Sequence, residues 1–227
     1  MAEFGWRVLE GSDVTDFSDG LVVQGGSRGL LRLLACRSVR RAISPRAFSL
    51  LGPIAAACAS EGIRRDTGII SWLSWPDLVT IDGRAVAKAS LSHQGTGLQA
   101  VFDISVNCFG GEAPLLSRGL RGTSILDALG VEIDMALLRD KILHALDWYF
   151  AEWERGMQRK LVDRIQPTIS WLGGEVEVRM LDGRVLLGTA KGLDDYGSLL
   201  LEQRDRSGKP EARTIHPVGV EVVKAAK

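Results

Sequence analysis

Residues 70–91 limit the fold more tightly than any other part of the chain. An apolar run through Ile70, Trp72, Leu73 and Trp75 stops at Pro76, which has no N–H to give to a continuing ladder. Residues 78–81 then read as a return strand, Asp82-Gly83 as a two-residue turn, and the alternation from Val86 to Leu91 as a third strand. A compact hairpin of this kind commits the middle of the chain to antiparallel sheet.

The same residues carry a resemblance. Trp75-Pro76-Asp77, then Val79, Ile81-Asp82-Gly83-Arg84 and Val86-Ala87, resemble the biotin protein ligase family. Its hallmark is Lys-Trp-Pro-Asn-Asp, a short strand, Asp-Gly and a catalytic Lys ahead of Ala-Gly-Ile. Trp-Pro, Asp-Gly and Val-Ala fall in register without gaps. On that register the family's first Lys is Ser74, its Asn is Asp77, its Asp is Leu78 and its catalytic Lys is Ala85. A slip of one residue puts Asp77 in the place of the family's Asp, and Arg84 and Lys88 lie near the missing Lys. The resemblance therefore implies a ligase scaffold whose reactive positions have changed.

At 227 residues and 45% hydrophobic content, the chain has length and apolar surface for one large or two unequal units around a buried core. No apolar run approaches the roughly 20 residues that span a bilayer, and residues 1–7 lack the apolar core and cleavage site of a signal peptide. A cytoplasmic protein that does not engage membranes is expected. Cys36, Cys58 and Cys108 are far apart, form no Cys-x-x-Cys, and read as buried thiols. His93, His144 and His216 show no metal-ligand spacing, so no metal site is expected. With 28 basic and 28 acidic residues, the total charge gives no long-range attraction to nucleic acid.

Taken in order, residues 6–9 and 21–24 read as strands joined by a loop too short for the long helix that the ligases place there. Gln24-Gly25-Gly26-Ser27-Arg28-Gly29 stands where those proteins carry a Gly-Arg-rich loop that holds the acyl-adenylate phosphate; only Arg28 remains in register, and both a simple turn and a phosphate cradle stay open. A strand over 30–35 is followed by Arg37, Arg40, Arg41 and Arg46. No aromatic residue is interleaved for base stacking, which leaves a solvated face or a small anionic ligand rather than nucleic acid. Ser44 as N-cap and Pro45 at the first position open a helix with Phe48, Leu51, Ile54, Ala55 and Cys58 facing inward, a kink at Gly52-Pro53 and an end at Gly62.

Residues 98–109 read as the central strand. Asp103 and Ser105 stand where the ligases have glycines that let the cofactor ring lie on bare backbone, while Asn107 is retained. Thr123 to Gly130 makes a short capped helix, and 135–165 a single long one with an apolar stripe from Leu138 through Met157 to Leu161. Gln166-Pro167 marks the expected boundary between an α/β unit at 1–165 and a unit of short strands at 166–227. In the second unit Gly188-Thr189-Ala190-Lys191-Gly192-Leu193-Asp194, Gly197 and Leu199 resemble the ligase C-terminal domain.

The fold that follows is an α/β protein: a mixed-sheet domain of the class II synthetase and biotin-ligase kind plus a small SH3-like barrel. Function stays open among three readings. One is an impaired homologue binding a small acid, a nucleotide or a carrier protein; the second is an active ATP-dependent biotin or lipoate-like ligase; the third is an interaction module. The resemblance alone implies biotin and ATP as ligands, and a carrier protein or small carboxylic acid as partner, with a homodimer as an open arrangement. The expected contacts are Arg28, Trp75, Asp77, Arg84, Lys88, Asp103, Ser105 and Asn107, with Arg28 as anion contact and Asn107 as polar anchor.

Overall fold

The computed structural model describes residues 6–11, 18–26, 29–40, 44–94, 99–110, 120–204 and 207–226. Strands β1 (Arg7–Glu10), β2 (Leu21–Gly25), β3 (Leu30–Ser38), β4 (Trp72–Ser74), β5 (Leu78–Ile81), β6 (Arg84–Gln94) and β7 (Gln99–Asn107) form a seven-stranded sheet in the order β1-β2-β3-β7-β6-β5-β4. β1 runs parallel to β2 and the other neighbours are antiparallel, so the sheet is mixed and β7 sits in its centre, as the sequence predicts. Asp82 (φ 49°) and Gly83 (φ 73°) both take left-handed backbone, the conformation a two-residue hairpin turn between β5 and β6 requires.

Alternation along β7 divides the sheet into two faces. Phe102, Ile104 and Val106 are fully buried under the helices α2 (Leu51–Thr67) and α4 (Met135–Glu154), with Phe102 meeting Phe150 edge-on at 6.1 Å. Asp103 and Ser105 point the other way and are only partly covered. The cross-strand register therefore sorts β3, β7 and β6 together, one apolar face and one polar face.

The helices depart from the sequence reading in instructive ways. Ser44 does cap a helix, accepting from the Ala47 N–H, but α1 (Pro45–Phe48) lasts one turn before a break at Ser49 and Leu50. The expected kink at Gly52-Pro53 is instead the first turn of α2, where proline costs no helical hydrogen bond. Nor does Gly62 end that helix. It lies in the interior, because α4 crosses so closely that a Cβ would stand 2.4 Å from Ile142 Cγ1, and Gly68 in left-handed backbone forms the actual C-cap. The single helix expected over 135–165 is α4 followed by α5 (Gln158–Ile165), parted at Gly156 (φ 82°); Met157, placed on the apolar stripe, is exposed. Helix α3 (Ile125–Leu129) carries the predicted cap, a reciprocal pair between Ser124 and Asp127.

Gln166 and Pro167 form a short 3-10 turn, and beyond it lie β8 (Glu175–Met180), β9 (Val185–Leu193), β10 (Leu199–Arg204), β11 (Pro210–Ile215) and β12 (Val220–Ala225). They make a five-stranded antiparallel sheet in the order β11-β10-β9-β8-β12. The expected barrel closure is not seen among the described residues, where β11 and β12 remain the two edges. This sheet is fastened to the first. Trp75 Nε1 donates to Gly197 O at 2.9 Å, Leu193 N to Gln166 Oε1 at 2.8 Å and Ser49 Oγ to Tyr196 O at 2.8 Å. Buried residues of both sheets belong to one continuous core.

Candidate functional site

The polar face of the large sheet is built by register. Arg32 on β3, Ser105 on β7 and Lys88 on β6 stand directly opposite one another in one row, and Leu34, Asp103 and Ser90 in the next. From its row Arg32 reaches diagonally to Asp103, Nε to Oδ1 at 3.0 Å and Nη2 to Oδ2 at 2.7 Å, a bidentate pair. The Asp103 hydrogen bond raises the Arg32 pKa, so this guanidinium stays charged and its charge is matched locally. Lys88 shares the face but makes no hydrogen bond or ion pair with any described residue. Among the described residues of this row, one matched ion pair beside one unmatched ammonium leaves one net cation.

The remaining expected contacts separate into groups. Arg28 lies outside the described residues. Trp75 is fully buried and its indole N–H donates to Gly197 O, a packing contact between the two sheets. Asn107 is 2% exposed and its Nδ2 donates to Thr123 O at 2.9 Å, which anchors the 120–124 segment. Asp77 is partly covered in the turn before β5, and its carbonyl accepts the Ala89 N–H beside Lys88. Arg84 is exposed at the start of β6, four residues or roughly 13 Å along the strand from Lys88, so the two are not neighbours at one point.

Ala85 occupies the position of the catalytic Lys in the resemblance. It is fully buried; its N–H donates to Arg121 O at 2.8 Å and its carbonyl accepts from Thr123 N at 2.9 Å. The 121–123 segment thus pairs edge to edge with β6 at this point, and a long side chain would have to enter a fully enclosed position.

The fold is that of the biotin protein ligases. A biotin-bound mutant biotin protein ligase from Aquifex aeolicus superposes with a TM-score of 0.78 at 16% identity, over 98% of this chain and 100% of that one. The same enzyme in complex with biotin and ATP gives 0.76 at 17% identity, covering 98% and 99%. A biotin protein ligase-like protein of unknown function from Silicibacter sp. TM1040 gives 0.72 at 15% identity, covering 93% and 94%. At these identities the likeness concerns architecture. In sequence, residues 172–216 match the family model for the biotin protein ligase C-terminal domain, which establishes the β8–β11 region as that domain. No curated protein matches the chain in sequence.

Two further groups of residues clarify the biotin-ligase-like chain. The arginines after β3 do not form one solvated face. Arg37 is buried within the longer strand, stacked 3.7 Å over Trp6 and ion-paired with Asp147, and Arg40 pairs with Asp19 at 3.1 Å. Arg41 lies outside the described residues. The three cysteines are buried, and burial pushes the Cys36 thiol up to about 11 and the Cys108 thiol to about 12, so neither is a nucleophile at neutral pH. Among the described residues no cluster of His, Cys, Asp or Glu is placed to hold a metal, and no helix is long and apolar enough to cross a membrane.

Sequence reasoning missed Arg32. Its signal was present, since alternation from Leu30 puts Arg32 on the face opposite Leu31 and Leu33, but its partner Asp103 is 71 residues away and appears only once the β3–β7 register is known.

Proposed function

We propose that this chain is a biotin-protein-ligase-like binding protein, which takes a small carboxylic acid on the open face of its seven-stranded sheet and does not complete acyl-adenylate transfer. The observation that carries the reading is the charge inventory of that face. Among the described residues Lys88 is unmatched, the Arg32 guanidinium is spent on Asp103, and Ala85 brings no cation. One ammonium suits one carboxylate. A triphosphate carries several negative charges, and each missing cation beside its developing charge costs about 100 to 1000-fold in rate.

In this reading Lys88 pairs with the acid, Ser105 offers it a hydroxyl from the same row, and Arg32 and Asp103 fix the shape of the face. Residues 1–165 act as the ligand-binding unit and 166–227 as its docked companion, in the cytoplasm, where three unpaired thiols stay reduced. A lysine-bearing carrier protein remains a partner of the same face.

Calorimetric titration with biotin, lipoate and ATP tests the reading. An acid should bind, and Lys88→Ala should weaken it at least tenfold with an unchanged melting temperature. Absence of acid binding, or affinity that survives Lys88→Ala, overturns it.

A further inference from the structure

Away from the open sheet face, a second site lies where the two sheets are fastened together. A cavity of about 310 Å³, partly open to solvent, is lined by Arg46 and Ser49 between α1 and α2, by Asp194, Tyr196 and Ser198 of the β9–β10 turn, and by Thr214 and His216 at the end of β11. It shares no residue with the Arg32–Ser105–Lys88 row. The volume is at the lower end of the roughly 300 to 1,000 Å³ that small-molecule sites occupy.

Its walls are set by bonds internal to the protein. Ser49 Oγ lies 2.6 Å from Arg46 O and 2.8 Å from Tyr196 O, joining the helical break to the β9–β10 turn. Asp194 Oδ1 accepts from Tyr196 N at 2.9 Å and Ser198 N at 2.8 Å, which locks the turn itself. Gly197 approaches Leu50 so closely that a Cβ would lie 2.9 Å from Leu50 Cδ1. The lining is thus preorganised.

Several polar groups on these walls have no partner among the described residues. Ser198 is only 4% exposed, and its hydroxyl, on the cavity wall, makes no hydrogen bond to any described residue. Among the described residues the Arg46 guanidinium has no ion pair, and the hydroxyls of Tyr196 and Thr214 have no bond. His216 Nδ1 accepts from Val218 N at 3.4 Å, so in the neutral ring the proton sits on Nε2, as a donor. A guanidinium, an imidazole N–H and three hydroxyls converge on one small space, facing a single carboxylate whose Oδ1 already serves the turn.

We propose that this cavity binds a small phosphorylated sugar or polyol. The donors match the oxygens of a phosphate monoester, for which the planar fork of arginine is well shaped. Asp194, through its second oxygen, accepts from a hydroxyl on the organic part of the ligand, which separates this class from a bare oxyanion.

Titration of the full chain with ribose 5-phosphate and with inorganic phosphate tests the assignment. Ribose 5-phosphate should bind saturably and at least tenfold tighter than phosphate. Arg46→Ala should weaken it at least tenfold at an unchanged melting temperature, since that side chain is exposed and has no ion pair among the described residues. Ser198→Ala should weaken it several-fold, and Lys88→Ala should leave it unaltered. No saturable binding, equal affinity for the two probes, or binding that survives Arg46→Ala overturns the proposal. Loss of binding in Lys88→Ala overturns it as well, by moving the ligand to the open face.

Discussion

The two faces of β7 are made by alternate residues of one strand, and they obey different rules. Phe102, Ile104 and Val106 are enclosed by α2 and α4 and answer to shape and volume. Asp103 and Ser105, one position out of step, meet Arg32 and Lys88 and answer to charge. Many side chains fill an apolar face acceptably, whereas a face that performs adenylate chemistry needs particular cations at particular points. A chain can therefore keep the biotin ligase architecture at 16% identity while few of the individual residues are the same.

Substitutions on the two faces should separate accordingly. The largest effect is expected from Phe102→Ala, which removes a fully buried ring packed on Phe150 and should cost about 3–5 kcal/mol in denaturant unfolding. Ala85→Lys should follow, at about 1–3 kcal/mol or more, because the longer side chain must enter a fully buried position. The same variant should release no pyrophosphate from biotin and ATP, and activity regained by this one change would show that the face lacks nothing else.

Smaller effects belong to the open face. Asp103→Asn removes one half of an ion pair whose side chains are 48% and 29% exposed, so the stability loss should stay below about 1 kcal/mol. It releases the Arg32 guanidinium, and acid binding measured by calorimetry should tighten. Lys88→Ala should change stability by no more than about 0.5 kcal/mol while weakening that binding. A large stability loss from either would place these residues with the core and erase the contrast between the faces.

The division between faces also explains what could be read in advance. The hairpin over 72–91 and the α3 cap are encoded by neighbours a few residues apart, in Asp82-Gly83 and Ser124–Asp127, and were legible. So was β7, through its own alternation. Gly62 was misread because its reason for being glycine is Ile142, on another helix. Arg37 was misread because Asp147 and Trp6, which permit its burial, lie in distant segments. For the same reason Arg32 was missed, and the bond from Trp75 to Gly197 is not legible from the sequence. The second cavity was invisible as a unit, since residues near 46, 196 and 215 meet only after the two sheets dock.

Biotin-dependent exchange of labelled pyrophosphate into ATP, run beside the Aquifex aeolicus ligase, addresses the central claim most directly. With alanine at the buried position 85 and Arg32 held by Asp103, the exchange should not rise above the rate without biotin. Exchange comparable to that of the Aquifex enzyme would mean that the face neutralises a triphosphate after all, and would contradict the account.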